Sequence, residues 1–343
     1  MLRNNWPTTE WQALDPANLR MNAEKLAELE PVINSEYSNI NGIVVVRNGY
    51  IAYEKYYNGN GPDDTHHVAS VTKSIISALI GIAIDAKYIK NVDQKVQDFF
   101  PEYVPDAADR QKQEITIRHL LTMTAPYPFE DWQEPLDKMC MQPDWVKYTL
   151  DMLGQQGNGN IGTFKYSTAG AHLLSAIITR STGKNARAFA NERLFKPIGM
   201  KEIPDYEMTS FGFEDLFGNN VKGWVNDPNS NSTGGWGLTL NPRDMARFGF
   251  LYLNRGIWED NNLIISKTWI DESTEMNPNN YGYLWWLREE DGVFAYSALG
   301  DGGNVICCIP EKDLVIAIAS EFIINPRDRW SLIKEHIIPA VID

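Results

Sequence analysis

The 343-residue chain has few of the side chains that build metal centres and disulfide frameworks, with only three cysteines and five histidines. Cys307 and Cys308 are adjacent in a segment typical of a strand, where neighbouring side chains point to opposite faces, and Cys140 stands alone in a polar stretch. These residues leave little room for a zinc ribbon, an iron–sulfur site or a set of disulfides. A Gly-x-Ser-x-Gly elbow is also missing, which excludes the usual α/β-hydrolase arrangement.

Long apolar segments are absent as well. The longest apolar run, Ile75 to Ile84, is interrupted by Ser77 and Gly81 and falls short of the ~20 residues that span a bilayer. The first twenty residues contain no apolar core of the kind that a signal peptide needs. We therefore expect no membrane association and a cytoplasmic location for the chain as written, or a periplasmic or secreted one if a leader was removed.

Basic residues are in the minority, with 31 Lys and Arg against 45 Asp and Glu and a net charge of -14. This balance argues against a nucleic-acid partner, because a polyanion would be repelled. Hydrophobic residues make up 43% and charged residues 22%, as in ordinary globular proteins. The length is about twice the usual ~150 residues of a domain, so we expect one large domain or two lobes. The oligomeric state stays open.

The distribution of patterns indicates an α/β (α+β) fold. Asn48-Gly49 between two β-branched or aromatic runs predicts a hairpin, and three further strands are expected over 293–299, 304–309 and 314–320. The residues between them are mostly helical, and helix formers also occupy 17–33 and 330–338. We expect an antiparallel sheet flanked by terminal helices, with an inserted, mostly helical lobe.

The sharpest local feature is Ser70-Val-Thr-Lys73, which opens an apolar segment. In a helix, Ser70 and Lys73 share one face, and the backbone N–H of Ser70 lies at the positive end of the helix dipole. A desolvated lysine there accepts the serine proton, which would make Ser70 a nucleophile. The alternative is a serine that only caps the helix beside a solvated lysine, since a bare S-x-x-K motif is common.

The stretch from His67 to Gly81 resembles the nucleophile helix of the serine β-lactamase and penicillin-binding superfamily. It is most similar to the branch of class C β-lactamases, family VIII carboxylesterases and 6-aminohexanoate-dimer hydrolases. Similar motifs follow in order at 115–124, 164–170, 234–249, 281–286 and 298–304, so that the resemblance covers roughly 35–325. It implies a β-lactamase/transpeptidase-like fold. We expect an α/β lobe of residues 1–69 and 240–343, a helical lobe of residues 70–239, and the active site in the cleft between them.

The resemblance also implies roles for the residues of its second and third motifs. Tyr166 matches the tyrosine that shares a proton with the lysine, although a core tyrosine is the common alternative. Thr168 replaces an asparagine that contacts the substrate amide. Gly300-Asp301-Gly302 stands where lactamases have Lys-Thr-Gly, and the N–H of Gly303 is expected to form the oxyanion hole with that of Ser70. A bulge or turn is the other explanation for these glycines.

Tryptophans are numerous, with eleven in the chain. Three of them, Trp236, Trp285 and Trp286, lie in cleft-lining motifs of the resembled family. We expect these three to bind the substrate, together with Thr168, Gly300, Asp301 and Gly302. Trp132 and Trp145 lie in the variable part of the helical lobe. Core packing is the default role of any one of them. The five histidines show no metal-binding spacing, and we interpret them as structural.

The sequence thus predicts a serine hydrolase that acts through an acyl-enzyme without cofactor or metal. Because Asp301 replaces a cation, we expect an acidic cleft that disfavours anionic substrates, and small neutral esters as the best ones. The alternatives are an amide hydrolase of the 6-aminohexanoate-oligomer or D-amino-acid peptide type, a weak β-lactamase, or a non-catalytic penicillin-binding-like sensor.

Overall fold

The computed structural model describes residues 3, 5–129, 133–155, 159–218 and 220–342. Within these ranges, an antiparallel sheet of six strands has the order β2-β1-β10-β9-β8-β7. Two short strand pairs, β3 with β4 and β5 with β6, lie outside it. The strands are β1 (Ile40–Arg47), β2 (Tyr50–Tyr56), β3 (His66–His67), β4 (Thr239–Leu240), β5 (Ile257–Trp258), β6 (Asn262–Leu263), β7 (Trp286–Glu290), β8 (Val293–Gly300), β9 (Asn304–Ile309) and β10 (Leu314–Ser320).

Most of the helices lie between β3 and β7 in the sequence. The α-helices are α1 (Ala23–Ala27), α2 (Leu29–Glu36), α3 (Val71–Asp85), α4 (Ile117–Leu121), α5 (Leu136–Cys140), α6 (Trp145–Met152), α7 (Thr168–Thr182), α8 (Ala186–Ala190), α9 (Phe213–Phe217), α10 (Pro242–Leu253), α11 (Lys267–Ser273) and α12 (Arg329–Leu332). The chain continues from α12 in helical turns to Ala340. In the part of the chain that the structure describes, no helix is long and apolar enough to cross a membrane.

The predicted hairpin and C-terminal strands are confirmed. Asn48 and Gly49 have φ angles of 54° and 87°, the positive values that a tight two-residue hairpin turn requires. The N-terminal helical region is divided into Pro16–Leu19, α1 and α2, because Arg20 has a φ of 56° and Asn22 caps α1. Local capping therefore interrupts what the apolar spacing alone predicts as one helix.

The two faces of the sheet are covered by different helices. On one face, Cys307 packs with apolar residues of the terminal helices, including Leu29 and Leu332. On the other, Cys308 belongs to the large cluster that contains the apolar residues of α3, α7 and α10. This arrangement confirms the predicted fold class, an antiparallel sheet between terminal and inserted helices. The division into lobes at residues 70 and 239 stays a prediction.

Candidate active site

Ser70 lies at the start of α3, a helix that is buried along nearly its whole length because its sequence is apolar on every side. The side chain of Ser70 makes no capping hydrogen bond to this helix. Ala69, just before it, has a φ of 48°, a left-handed conformation that costs a residue with a Cβ about 1–2 kcal/mol. Strain of this kind is concentrated at functional sites, and here it shapes the turn that presents Ser70.

Lys73 is buried, with only 1% of its surface exposed, so the alternative of a solvated lysine is wrong. Its Nζ lies 3.0 Å from Ser70 Oγ and 2.9 Å from the carbonyl oxygen of Gly235. The same nitrogen is 4.9 Å from the centre of the Tyr166 ring. Ser70, Lys73 and Tyr166 are therefore brought together, although almost a hundred residues separate the first from the last.

Tyr166 is placed by the turn that leads into α7. Ser167 caps this helix, and its side chain accepts a hydrogen bond from Gly170 N over 3.0 Å. The Tyr166 ring stacks on Trp286, with 5.7 Å between ring centres, and meets Tyr281 edge-on at 6.2 Å. These contacts fix the ring beside Lys73.

Two cavities meet at Ser70, and Leu136, Thr168 and Asp301 also line both. The first, here the Trp236 chamber, has a volume of about 420 Å³. Its other lining residues include His66, His67, Phe213, Phe217, Trp236 and Phe322. The second, here the Tyr166 chamber, has a volume of about 590 Å³. Its other lining residues include Glu134, Tyr166, Trp286, Leu299, Gly300 and Trp330. A substrate bound across Ser70 can therefore extend in two directions.

The end of β8 approaches Ser70 closely. A Cβ at Gly300 would lie 2.2 Å from the carbonyl oxygen of Val68 and 3.2 Å from Ser70 N, so only glycine fits there. Gly303 also lines the Tyr166 chamber, but its N–H is donated to the carbonyl oxygen of Gly300 over 3.1 Å. The predicted use of this N–H in an oxyanion hole is therefore wrong, because the N–H is already hydrogen-bonded within the turn at 300–303.

The family of the chain follows from comparison with known proteins. Residues 36–322 match the family model described as beta-lactamase. The chain belongs to the beta-lactamase family. A 6-aminohexanoate-dimer hydrolase of Paenarthrobacter ureafaciens is 22% identical over 97% of this chain and 86% of its own length. Esterase EstB of Burkholderia gladioli is 27% identical over 55% of this chain and 54% of its own.

A solved structure of similar fold is that of EstCE1, described as a hydrolase with promiscuous acyltransferase activity. It has a TM-score of 0.69, with 16% identity over 96% of this chain and 99% of that one. This likeness shows the fold, which is that of the beta-lactamase family.

The remaining substrate-binding predictions have different outcomes in this beta-lactamase-family chain. Trp236 and Trp286 each line one of the chambers. Trp285 does not: it is fully buried against Tyr252, Phe248 and Tyr296, so its predicted place on the cleft wall is wrong. Trp145 is buried and stacks on Trp236 with 5.8 Å between ring centres, whereas Trp132 lies outside the described residues.

Gly302 faces away from the chambers. Its φ is 81°, and its carbonyl oxygen accepts a hydrogen bond from Asn39 Nδ2 over 2.7 Å. The guanidinium of Arg329 packs on the next residue, since a Cβ at Gly303 would lie 2.7 Å from it. Gly302 thus shapes the turn and is not among the described lining residues of either chamber, and its contact with substrate stays a prediction.

The charge of the Tyr166 chamber also differs from the expectation of an acidic cleft. Its wall carries three carboxylates and three guanidinium groups, from Glu134, Asp301, Asp328, Arg288, Arg327 and Arg329. Arg288 makes an ion pair with Glu290, and Arg327 makes one with Glu36. Cations missing from the third motif are therefore supplied by other elements, and the prediction of an acidic cleft is wrong for this chamber.

Glu134 is a site residue that sequence reasoning misses. Its Oε2 accepts a hydrogen bond from Thr168 N and its Oε1 accepts one from Ala169 N, both over 2.6 Å. Burial raises the pKa of the Glu134 carboxyl, while the two N–H groups and the charge of Lys73 favour its ionised form. Its partners lie more than thirty positions along the chain, and no motif of the sequence signals the contact.

The histidines near the site support its loops. His67 Nε2 accepts a hydrogen bond from Gly237 N over 3.1 Å, and burial lowers the pKa of His67 to about 4. His172 lies between Asp227, at 3.1 Å, and Gly234 N, at 3.4 Å. Both side chains thus hold the segment that carries Gly235, the acceptor for Lys73.

Proposed function

We propose that the chain is a serine hydrolase that forms an acyl-enzyme on Ser70 and acts best on small neutral esters. The observation that carries this proposal is the 3.0 Å separation of a buried Lys73 Nζ from Ser70 Oγ where two substrate-sized chambers meet. A buried amine in its neutral form accepts the hydroxyl proton at this distance, and it needs no imidazole or metal to do so.

In the first half-reaction, Ser70 Oγ attacks the ester carbonyl carbon and its proton passes to Lys73. The carbonyl oxygen becomes an oxyanion. We infer that the Ser70 and Asp301 N–H groups stabilise it, since Gly300 packs against Ser70 N and Asp301 is the next residue. Lys73 and Tyr166 then return the proton to the leaving oxygen as its bond to the carbonyl carbon breaks.

In the second half-reaction, water replaces the alcohol. The Lys73–Tyr166 pair takes a proton from the water as its oxygen attacks the acyl carbon, and the proton is then delivered to Ser70 Oγ as the acyl bond breaks. The products are the alcohol and the carboxylic acid. Because Tyr166 lines only the second chamber, the leaving alcohol would occupy the Tyr166 chamber and the acyl group the Trp236 chamber.

The test is hydrolysis of p-nitrophenyl butyrate by wild type, Ser70→Ala and Ser77→Ala. Ser77 is a buried serine two turns further along the same helix, which makes it a matched control. We expect Ser70→Ala to lose turnover and labelling by a fluorophosphonate probe, and Ser77→Ala to keep both. Full turnover by Ser70→Ala would exclude this mechanism. A folded wild type without any labelling would favour the non-catalytic sensor.

A second candidate is an amide hydrolase whose leaving amine carries a carboxylate. Arg288 and Arg327 on the wall of the Tyr166 chamber favour it, because guanidinium groups bind carboxylates well. The relative from Paenarthrobacter ureafaciens, aligned over 97% of this chain, is named 6-aminohexanoate-dimer hydrolase. Nitrocefin and a linear amide assayed beside the ester discriminate between the candidates. Higher kcat/KM for the amide would reverse the ranking, and nitrocefin turnover would indicate a weak β-lactamase.

A further inference from the structure

We propose that Glu134 is a positioning residue of this site, whose carboxylate fixes the turn that holds the Tyr166 ring beside Lys73. The inference rests on the proposed function, since it concerns how the same nucleophile is activated. It adds a group that reaches the site from the segment before α5, far from the three motif residues in sequence.

The contacts of Glu134 with the start of α7 support the proposal. The first N–H groups of a helix have no partner within it, and α7 has fifteen residues, so its dipole attracts an anion at this end. The Glu134 carboxylate binds two of these groups, Thr168 N and Ala169 N, while Ser167 Oγ binds a third at Gly170. Tyr166 is two residues before Thr168. Loss of the carboxylate would therefore loosen the turn that holds the Tyr166 ring beside Lys73.

Glu134 also lies beside the groups that it would position. It is mostly buried and lines the Tyr166 chamber together with Ser70 and Tyr166. The positive charge of Lys73 favours the ionised form of its carboxyl. The charged side chains that line the same chamber among the described residues are Asp301, Asp328, Arg288, Arg327 and Arg329.

A carboxylate can hold the start of α7 in a way that an amide cannot. Glu134 accepts both hydrogen bonds of 2.6 Å at this helix N-terminus, one through each oxygen. Replacement by glutamine removes the charge and leaves an amide that can accept only one of the two hydrogen bonds through its oxygen. The turn before α7 would then be held less firmly.

The experiment compares wild type with Glu134→Gln, Glu134→Asp and the control Asp144→Asn. Asp144 caps the N-terminus of α6 in the same way, accepting from Lys147 N over 2.8 Å, but it lines neither chamber. The values of kcat and KM for p-nitrophenyl butyrate are measured separately, together with the rate of fluorophosphonate labelling. Thermal unfolding is followed for every variant.

We expect kcat and the rate of labelling to fall about tenfold in Glu134→Gln with little change in KM, as for a catalytic group held less firmly. Glu134→Asp, which keeps a carboxylate, should recover part of the lost kcat, and Asp144→Asn should change only stability. If Glu134→Gln does not fold, the smaller neutral variant Glu134→Asn replaces it in the same comparison.

An unchanged kcat in the neutral variants, with loss of stability alone as in Asp144→Asn, would overturn the inference and leave the proposed function intact. A wild type that neither hydrolyses the ester nor reacts with the probe would overturn the proposed function and the inference together. The two failures are therefore distinguishable.

Discussion

Lys73 Nζ donates a hydrogen bond to the carbonyl oxygen of Gly235 over 2.9 Å, and the Gly235 backbone packs tightly against Lys73 and Thr168. A Cβ at this position would lie 3.2 Å from Lys73 Nζ and 2.2 Å from Thr168 Cγ2. The loop that follows Asp227 thus helps to set the distance between the lysine and Ser70.

This contact makes Gly235→Ala a test of how accurately Lys73 must be placed. The added methyl group would displace Lys73 or Thr168, and a shift of about 1 Å at a reacting group costs about 10²-fold in rate. We expect kcat for p-nitrophenyl butyrate to fall by about that factor with little change in KM. Gly61→Ala is the control, because a Cβ at Gly61 meets nothing closer than 3.7 Å. Equal kcat values for the two variants would contradict the prediction.

The adjacent tryptophans Trp285 and Trp286 should respond differently to replacement by alanine. Trp285 is fully buried, so Trp285→Ala should destabilise the fold by about 3–5 kcal/mol through loss of its packing. Trp286 is partly exposed and stacks on Tyr166, so Trp286→Ala should mainly lower kcat. Urea unfolding and ester kinetics on both variants measure the two effects. The prediction fails if Trp286→Ala has the lower free energy of unfolding of the two variants. It also fails if folded Trp285→Ala has the lower kcat.

Asp301 lies where both chambers meet, and its charge should influence which substrates bind. We expect Asp301→Lys to increase kcat/KM for a p-nitrophenyl ester with a carboxylate at the end of its acyl chain by about tenfold relative to the neutral butyrate. Reversal of a charge near the bound anion is the physical reason. Asp301→Asn, which only removes the charge, should give a smaller change. A ratio of kcat/KM values that is the same in all three proteins would rule out this role.

His67 should make the stability of the protein depend on pH. Its pKa is about 4 when folded and ordinarily 6.5, because burial disfavours the imidazolium. A lowered pKa means that the unfolded chain binds the proton more readily than the folded chain does. The contribution of neutral His67 to the free energy of unfolding is therefore complete above pH 6.5. It is lost as the pH falls towards 4, by up to about 3 kcal/mol. The free energy of unfolding should therefore depend less on pH in His67→Gln over this range, and parallel curves for the two proteins would contradict the assignment.

The parts of this structure that the sequence predicts are those decided by neighbouring residues. The Asn48-Gly49 turn forms because both residues tolerate a positive φ, and the Ser70–Lys73 pair forms because positions three apart share a helix face. The fold class follows from the order of such segments. The predicted assembly of Tyr166 with this pair depended on resemblance to a family, since no local pattern relates positions 70 and 166.

The parts that the sequence does not predict depend on contacts between distant segments. Only one of two adjacent tryptophans can face the cleft, and the sequence does not say whether it is Trp285 or Trp286. Which N–H of the 300–303 turn is free depends on the approach of Gly300 to Val68. Glu134 acquires its importance only when α7 is folded beside it.

The side-by-side cysteines of β9 provide a built-in pair of reporters for unfolding. Cys307 is buried in the layer under the terminal helices and Cys308 in the layer that contains α3, and burial raises the pKa of both thiols. Neither thiol can react with an alkylating reagent until its own layer opens. The order in which the two are modified in native protein would therefore reveal which side of the sheet separates first, and whether the layer that carries Ser70 opens independently of the other.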